Sequence, residues 1–326
     1  MTYKEHSDTV LTVSDLTVKN LKNNVKIVDR LSLQVEKKEV VSLLGESGSG
    51  KSITSLAIMG LTHNMSVEGS IVLENKEISS FSDKSMSAIR GSRMAMIFQN
   101  PMSSLNPVKP VGKQISEVLL RHTNMSSSEA YEYTLTLLED VKLNNPRQCY
   151  QAYVHELSGG MCQRVMIAMA IACKPALLIA DEPTTALDMT VQQQIMTMLM
   201  SLSTKYGMSI LFITHDLHVA QRYSHRTYIM YAGQIVEEGP TSTVFNHPAH
   251  PYTTALLSCI PDNKLSHTRF GTIAGQIPDL RELPPGCNFS PRCPIAQAKC
   301  SMHAIPLSEL ERGRWVRCFY PLGGQA

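Results

Sequence analysis

The sequence is short of several things, and each shortage closes off a class of function. It has no unbroken apolar run of the roughly 18 residues that a membrane-spanning helix needs; its best stretch, Val165 to Cys173, is far too short for a hydrocarbon core of about 30 Å. Any link to a membrane is therefore expected to run through a partner. An excess of charge is missing too: Lys and Arg total 30 against 28 for Asp and Glu, so a net charge of +2 gives no broad electrostatic reason to expect nucleic acid. Internal repeats, low-complexity tracts, long charge blocks and heptad runs are absent, which excludes solenoids and coiled coils. The first ten residues, MTYKEHSDTV, are polar where a secretory signal needs an apolar stretch, so the chain is expected to stay in the cytoplasm. Aromatic residues make up 6% of the chain, and none lies between Tyr3 and Phe81.

What is present is enough core for one large or two modest domains: 326 residues, 43% hydrophobic and 18% charged. Leu11 to Val18 and Leu31 to Val35 alternate apolar and polar residues, and Val40 to Leu44 is a continuous apolar run ending at Gly45. These patterns predict strands, the last one buried on both faces. Ser52 to Leu61 reads as a short helix, with Gly69 to Leu73 and Met94 to Phe98 as further strands. Helical spacing then dominates from Val111 to Ala172. Strands resume at Ala176 to Ala180 and Ser209 to Thr214, around an amphipathic helix from Val191 to Leu202 whose methionines read as core filler. Tyr228 to Tyr231 and Gln234 to Glu237 flank Ala232-Gly233, a hairpin signal. Strands alternating with helices predict an α/β nucleotide-type core, with a small second domain from about residue 261 where His, Pro and Cys accumulate.

Gly45-Glu46-Ser47-Gly48-Ser49-Gly50-Lys51-Ser52 matches the phosphate-loop pattern and stands where that chemistry requires it, between a buried strand and a helix. Glycines let consecutive N–H groups face one anion, and the following helix points its positive end at the same place. Lys51 would hold the β- and γ-phosphates, and Ser52 would ligate Mg²⁺. Leu177 to Glu182 is an apolar strand ending in two carboxylates. Both acids thus emerge at the carboxyl end of a parallel strand, Asp181 as a Mg²⁺ ligand and Glu182 to polarise the attacking water.

Leu157-Ser158-Gly159-Gly160-Met161, followed by Gln163-Arg164-Val165, resembles the signature of ATP-binding cassette proteins. Physically, Ser158, Gly159 and Gly160 open a second anion-binding helix N-terminus. Gln99 is similar to the Q-loop glutamine, Ala186-Leu187-Asp188 to the D-loop, and His215 to the switch histidine; the resemblance covers roughly residues 11–260. It implies that Gln99 senses the γ-phosphate or Mg²⁺, that Glu182 is the general base, that His215 contacts the γ-phosphate, and that Asp188 communicates across a dimer. In that family Ser158, Gly159 and Gly160 serve the nucleotide of a partner chain, in trans. Two departures stand out. Met161 replaces a usual glutamine, as it does in the peptide-importer branch. The aromatic residue that commonly stacks on adenine is absent, Val18 to Leu21 lying in its place, so adenine would be held by aliphatic contact, by a partner residue, or weakly. A base stack contributes about 1–3 kcal/mol.

Cys287, Cys293, Cys300 and Cys318 gather half of the eight cysteines near the C-terminus. Four thiolates can ligate zinc or an iron–sulfur cluster, and the spacing alone chooses neither. Cys149, Cys162, Cys173 and Cys259 read as structural, and His247, His250 and His303 as single surface histidines. His250-Pro251-Tyr252-Thr253, Leu283-Pro284-Pro285-Gly286-Cys287-Asn288-Phe289 and Pro291-Arg292-Cys293-Pro294 resemble the C-terminal extension of the dipeptide, oligopeptide and nickel importer ATPases. That resemblance implies a four-iron four-sulfur cluster on the four clustered cysteines. The expectation is thus an α/β P-loop ATPase of the cassette type, with a parallel-sheet core, an antiparallel part, a helical insert and a Cys-rich extension. Its ATPase domain would span residues 1–260, its helical subdomain about 108–172, its extension 261–326. It would work with MgATP, two membrane permease subunits, a second, non-identical ATPase subunit and, indirectly, an extracytoplasmic binding protein at the inner face of the cell membrane. Import of dipeptides or oligopeptides is the main reading; a nickel or metallophore importer and a soluble cassette protein are the alternatives.

Overall fold

The structure is a computed structural model and describes residues 8–184, 187–259, 273, 275–276 and 278–323. The chain forms two compact units, one made of Met1–Gln34, Val40–Ser79 and Ile213–Ala326, the other of Val35–Glu39 and Ser80–Phe212.

The first unit opens with β1 (Thr9–Asn20), β2 (Lys26–Glu36), β3 (Val40–Leu44), α1 (Lys51–Ile58), β4 (Met65–Leu73) and β5 (Lys76–Glu77). The second contains α2 (Asp83–Ile89), β6 (Met94–Ile97), α3 (Pro101–Ser104), α4 (Val111–His122), α5 (Ser127–Asp140), α6 (Pro146–Gln151), α7 (Gly159–Ile171), β7 (Leu177–Asp181) and α8 (Met189–Tyr206). Strand β8 (Ser209–Thr214) returns the chain to the first unit. There follow α9 (Leu217–Tyr223), β9 (Arg226–Tyr231), β10 (Gln234–Pro240), α10 (Thr241–Asn246), α11 (Pro251–Leu257), α12 (Ala298–Met302), β11 (Ser308–Glu311) and β12 (Arg314–Val316).

In the first unit, β2, β1, β4 and β5 lie side by side in that order, β1 pairing antiparallel with β4 from Leu11↔Leu73 to Asn20↔Met65. In β1 the apolar Leu11, Val13, Leu16 and Val18 are buried, and the register against β4 shifts between Ser14 and Thr17, which breaks a strict alternation. By contrast β3, VVSLL, is buried at every residue and runs parallel to β9, Val41 opposite Arg226 and Leu44 opposite Ile229. A parallel strand is covered on both faces, which is why its sequence is a run rather than an alternation. Beyond β9 come β10, β12 and β11. The C-terminal strands are thus part of this sheet, Glu237 and Glu238 pairing with Val316 and Trp315. Arg314 on β12 reaches the fully buried Glu237 at 3.2 Å, and Glu237 also accepts from the N–H groups of Ala249 and His250 at 2.8 Å. Phe289, 1% exposed, packs edge-on to Tyr231 and tilted to Tyr252, ring centres 5.3 Å away in both cases. Burying one such ring stabilises by about 1.5–3 kcal/mol.

In the second unit β6 runs parallel to β7, Ile97 opposite Ala180, with β8 on the far side of β7. Its helices are fixed by side-chain chemistry at their ends and seams. Ser126 and Glu129 form a capping box at the start of α5. A buried triad, Ser116 to Thr134 at 2.9 Å and to Tyr150 at 3.1 Å, ties α4, α5 and α6. Met196 and Met198 of α8 are each 1% exposed, as core methionines should be.

Candidate nucleotide site

The phosphate loop joins β3 to α1 and belongs to the first unit. Its two ends need glycine for different reasons. A Cβ on Gly45 would come within 2.2 Å of the Met230 carbonyl oxygen, so β9 approaches too closely for any side chain. Gly50 has φ 106°, a left-handed conformation that turns the chain into α1. Between them Ser47 and Gly48 face solvent, while Ser49 is 2% exposed and its hydroxyl has no hydrogen-bond partner among the described residues. Lys51 is 5% exposed; its Nζ donates to the carbonyls of Gly45 at 2.8 Å and Glu46 at 2.9 Å. A glycine-rich loop at a helix N-terminus that keeps an ammonium at its base is a prepared anion site. Ser52, the second residue of α1, is exposed.

The second unit carries the acidic part. Because β6 and β7 pair in parallel with Ile97 opposite Ala180, Gln99 and Glu182 each stand two residues beyond that pair. The structure brings them together: Gln99 Nε2 donates to Glu182 Oε2 at 2.9 Å. Glu182 has φ 47°, a left-handed backbone that costs a non-glycine residue about 1–3 kcal/mol. Asp181, one residue earlier, is 6% exposed at the end of β7. Within the second unit, the Asp181 carboxylate and the Gln99 amide oxygen are hard oxygen donors of the kind that suit Mg²⁺. His215 follows β8 with its side chain exposed, and Asp216 caps α9 by accepting from the N–H of His218 at 2.9 Å and of Val219 at 3.2 Å.

Ser158 is the N-cap of α7, its hydroxyl accepting from the Met161 N–H at 3.3 Å. A Cβ on Gly159 would meet nothing within 4 Å, and Ser158 and Gly159 are exposed. Asp188 caps α8 through the Val191 N–H at 2.9 Å; Ala186 of the same motif lies outside the described residues. In the place of the missing aromatic, Leu21 is 65% exposed and Lys19 pairs with Glu68 at 2.8 Å.

The clustered cysteines share one electrostatic neighbourhood. Burial pushes the Cys287 thiol up to about 11, with Cys318, Cys293 and Cys300 adding to the rise. Cys293 and Cys318 are also raised, again chiefly by burial. The Cys287 N–H donates to the Cys300 carbonyl at 2.7 Å. Yet among the described residues no three His, Cys, Asp or Glu side chains stand in an arrangement that holds a metal ion, so this geometry lends the expected cluster no support. The other four cysteines are free thiols, Cys149 and Cys162 buried, each pointing at a backbone carbonyl.

One expectation needs correction. His250 is no surface residue: it is 1% exposed, caps α11 through Nδ1, and is kept neutral by burial, its pKa lowered to about 3. Its neighbours in sequence gave no sign of this, because Glu237 and Phe289, which enclose it, come from remote segments. Two residues that the sequence reading quoted only within the motifs of the extension turn out to stand at the loop. Tyr252 Oη accepts from the Glu46 N–H at 3.0 Å, and Arg292 pairs with the Glu46 carboxylate at 3.1 Å.

Among the described residues no helix is long and apolar enough to cross a membrane. Residues 28–185 match the ABC transporter family, and residues 236–300 match the oligopeptide/dipeptide transporter C-terminal region. The oligopeptide transport ATP-binding protein AppD of Bacillus subtilis is 47% identical over 91% of this chain and 92% of its own. The oligopeptide transport ATP-binding protein OppD of Escherichia coli is 44% identical over 98% and 95%, and the dipeptide transport ATP-binding protein DppD of Haemophilus influenzae 46% over 97% of both. Among solved structures, a dimeric ATP-binding cassette with bound ADP and phosphate superimposes with a TM-score of 0.64 at 27% identity, covering 71% of this chain and 98% of that one. With the phosphate loop, the paired carboxylates and the capped signature helix in place, the chain belongs to the ATP-binding proteins of ABC transporters, in the oligopeptide and dipeptide branch.

Proposed function

We propose that this protein is the ATP-hydrolysing subunit that powers uptake of dipeptides or oligopeptides. The observation that carries the reading is the prepared phosphate loop with the buried Lys51 at its base. The N–H groups of Ser47 to Ser52 and the Lys51 ammonium receive the β- and γ-phosphates; Nζ exchanges its two carbonyl partners for phosphate oxygens. Ser52 and Asp181, with Gln99, are the residues to hold Mg²⁺, which neutralises charge developing on the transferring phosphoryl group. Glu182 orients and deprotonates the attacking water, its carboxylate steered by Gln99. His215 meets the γ-phosphate. Ser158, Gly159 and Gly160 complete the site of a partner subunit, and Asp188 relays its state.

The working assembly is two permease subunits and a second, non-identical ATPase subunit at the inner face of the cell membrane, fed by an extracytoplasmic binding protein. The ATPase domain is residues 1–260, with a helical subdomain at about 108–172, and residues 261–326 form the extension. The four-iron four-sulfur reading of Cys287, Cys293, Cys300 and Cys318 rests on family resemblance alone. Iron and sulfide content of the anaerobically purified chain tests it, and no step of ATP hydrolysis depends on it. A nickel importer is the second reading. Uptake of labelled dipeptide, oligopeptide and nickel by cells carrying Lys51→Ala decides: loss of peptide uptake alone supports the proposal, and loss of nickel uptake alone moves the protein to the metal branch. Glu182→Gln is expected to bind ATP and trap the closed dimer, and normal turnover in the assembled transporter overturns the assignment of the base.

A further inference from the structure

Glu46 is the second residue of the phosphate loop, and it is an odd choice there. The loop exists to take up phosphate, and a carboxylate within it repels what it must bind. The structure shows how that charge is met. Arg292 sends its guanidinium fork onto the Glu46 carboxylate, Nη1 to Oε1 at 3.1 Å and to Oε2 at 3.4 Å, Nη2 to Oε2 at 3.3 Å. The Arg292 side chain is 4% exposed and that of Glu46 22%. The guanidinium lies over the rings of Tyr231 at 5.8 Å and Phe289 at 6.0 Å, and also donates to Tyr231 Oη at 3.3 Å and to the Ile273 carbonyl at 3.4 Å. A planar fork held on aromatic faces fixes its partner in direction as well as charge, which a lysine does not.

The backbone of Glu46 is held as well. Its N–H donates to Tyr252 Oη at 3.0 Å, and its carbonyl accepts from Lys51 Nζ at 2.9 Å. The outer half of the loop has no comparable support, since Ser47 and Gly48 are exposed and nothing lies within 4 Å of a Cβ built on Gly48. Glu46 is therefore the anchor from which the phosphate-binding amide groups are aimed. Its partner stands 246 residues away, directly before Cys293 in the C-terminal extension.

We propose that Arg292 is a positioning residue for the nucleotide: from the C-terminal extension it neutralises and orients Glu46, so that nucleotide affinity is set in part by this ion pair. This deepens the nucleotide-site reading and rests on it. It also separates charge from mere structural support. If Arg292 only braced the fold, removing Glu46's charge would do nothing for a chain already lacking Arg292. If it silences a carboxylate in an anion site, Glu46→Gln repairs the loss.

The test is titration of the full chain with a fluorescent ATP analogue at low salt, with thermal unfolding followed alongside. Arg292→Gln is expected to weaken binding about tenfold, a loss that shrinks as salt screens the carboxylate. The double variant Glu46→Gln/Arg292→Gln is expected to bind more tightly than Arg292→Gln alone, as relief of one like-charge repulsion requires. Should Arg292→Gln not fold, Arg292→Lys, which retains the charge and loses the fork, takes its place: a smaller loss, again repaired by Glu46→Gln. Wild-type affinity in the Arg292 variant, or a double variant as weak as the single one, overturns the inference. Lys51→Ala in the same titration guards the reading beneath it: if that variant binds nucleotide normally, the phosphate-loop assignment itself has failed, whereas its loss beside an unaffected Arg292 variant rejects the role of Arg292 alone.

Discussion

Two helix N-termini in this protein are built to meet phosphate, and they are built differently. The phosphate loop before α1 is fixed from behind: Gly45 lies against the Met230 carbonyl, Lys51 is buried, and Glu46 is held by Tyr252 and Arg292. The signature before α7 is an outward feature: Ser158 and Gly159 are exposed, and the bonds at Ser158 are local to the helix start, its hydroxyl accepting from the Met161 N–H and its carbonyl from the Cys162 N–H. The first is suited to bind a nucleotide on its own; the second, in the function proposed above, offers groups to a nucleotide that another chain holds. Affinity and turnover should therefore separate between them.

The largest effect expected is on the support of the phosphate loop. Phe289→Ala empties the aromatic cluster behind Tyr231 and Tyr252 and should cost about 3–5 kcal/mol in denaturant unfolding, as for a buried ring. Nucleotide affinity should fall with it; unchanged affinity in a destabilised chain would show the loop to be independent of its backing. Gly45→Ala forces a methyl group against a backbone oxygen 2.2 Å away, a strain of about 1–3 kcal/mol or more. It should nearly abolish nucleotide binding. Gly159→Ala, with open space around it, should leave both binding and the unfolding midpoint of the single chain as they are and slow turnover in the assembled transporter only. Equal losses in Gly45→Ala and Gly159→Ala would erase the contrast.

Acid offers a third handle. His250 stays neutral in the folded chain because burial holds its pKa at about 3, below the usual 6.5. The unfolded chain therefore binds the proton first, so stability is complete above pH 6.5 and declines as pH falls from there towards 3. His250→Asn, which keeps a cap acceptor for the Tyr252 N–H, should flatten that limb in a pH series of thermal melts. An unaltered limb would assign the acid loss to other groups. Smallest of all, Ser158→Ala removes a single exposed cap and should cost about 1 kcal/mol of α7 stability.

Much of this was legible in the residues. VVSLL announced a doubly covered strand, and GESGSGKS at its end a phosphate loop, because both depend on neighbours in sequence. Glu182 and Gln99 could be named as candidates, but their meeting could not, since it follows from the register of β6 against β7. The helices α9, α10 and α11, of six or seven residues each, are too short for periodicity to reveal. The pairing of Arg292 with Glu46 spans 246 positions, and nothing local at either residue signals it. His250 was misread for the same reason: its burial is conferred by Glu237 and Phe289, not by its own segment.

The antiparallel pairing of β12 with β10 has a consequence for how this protein survives in a crowded cell. Without it, β10, whose residues Ile235 to Gly239 are all buried, would present a ready template for another chain to zip onto. The strand that closes the row instead, β11, has only four residues, with the acidic side chains of Glu309 and Glu311 along it, a poor surface for recruiting a further strand. The C-terminal segment is thus a guard against self-association, and a chain truncated before β12 should be lost to aggregates before any question of ATP arises.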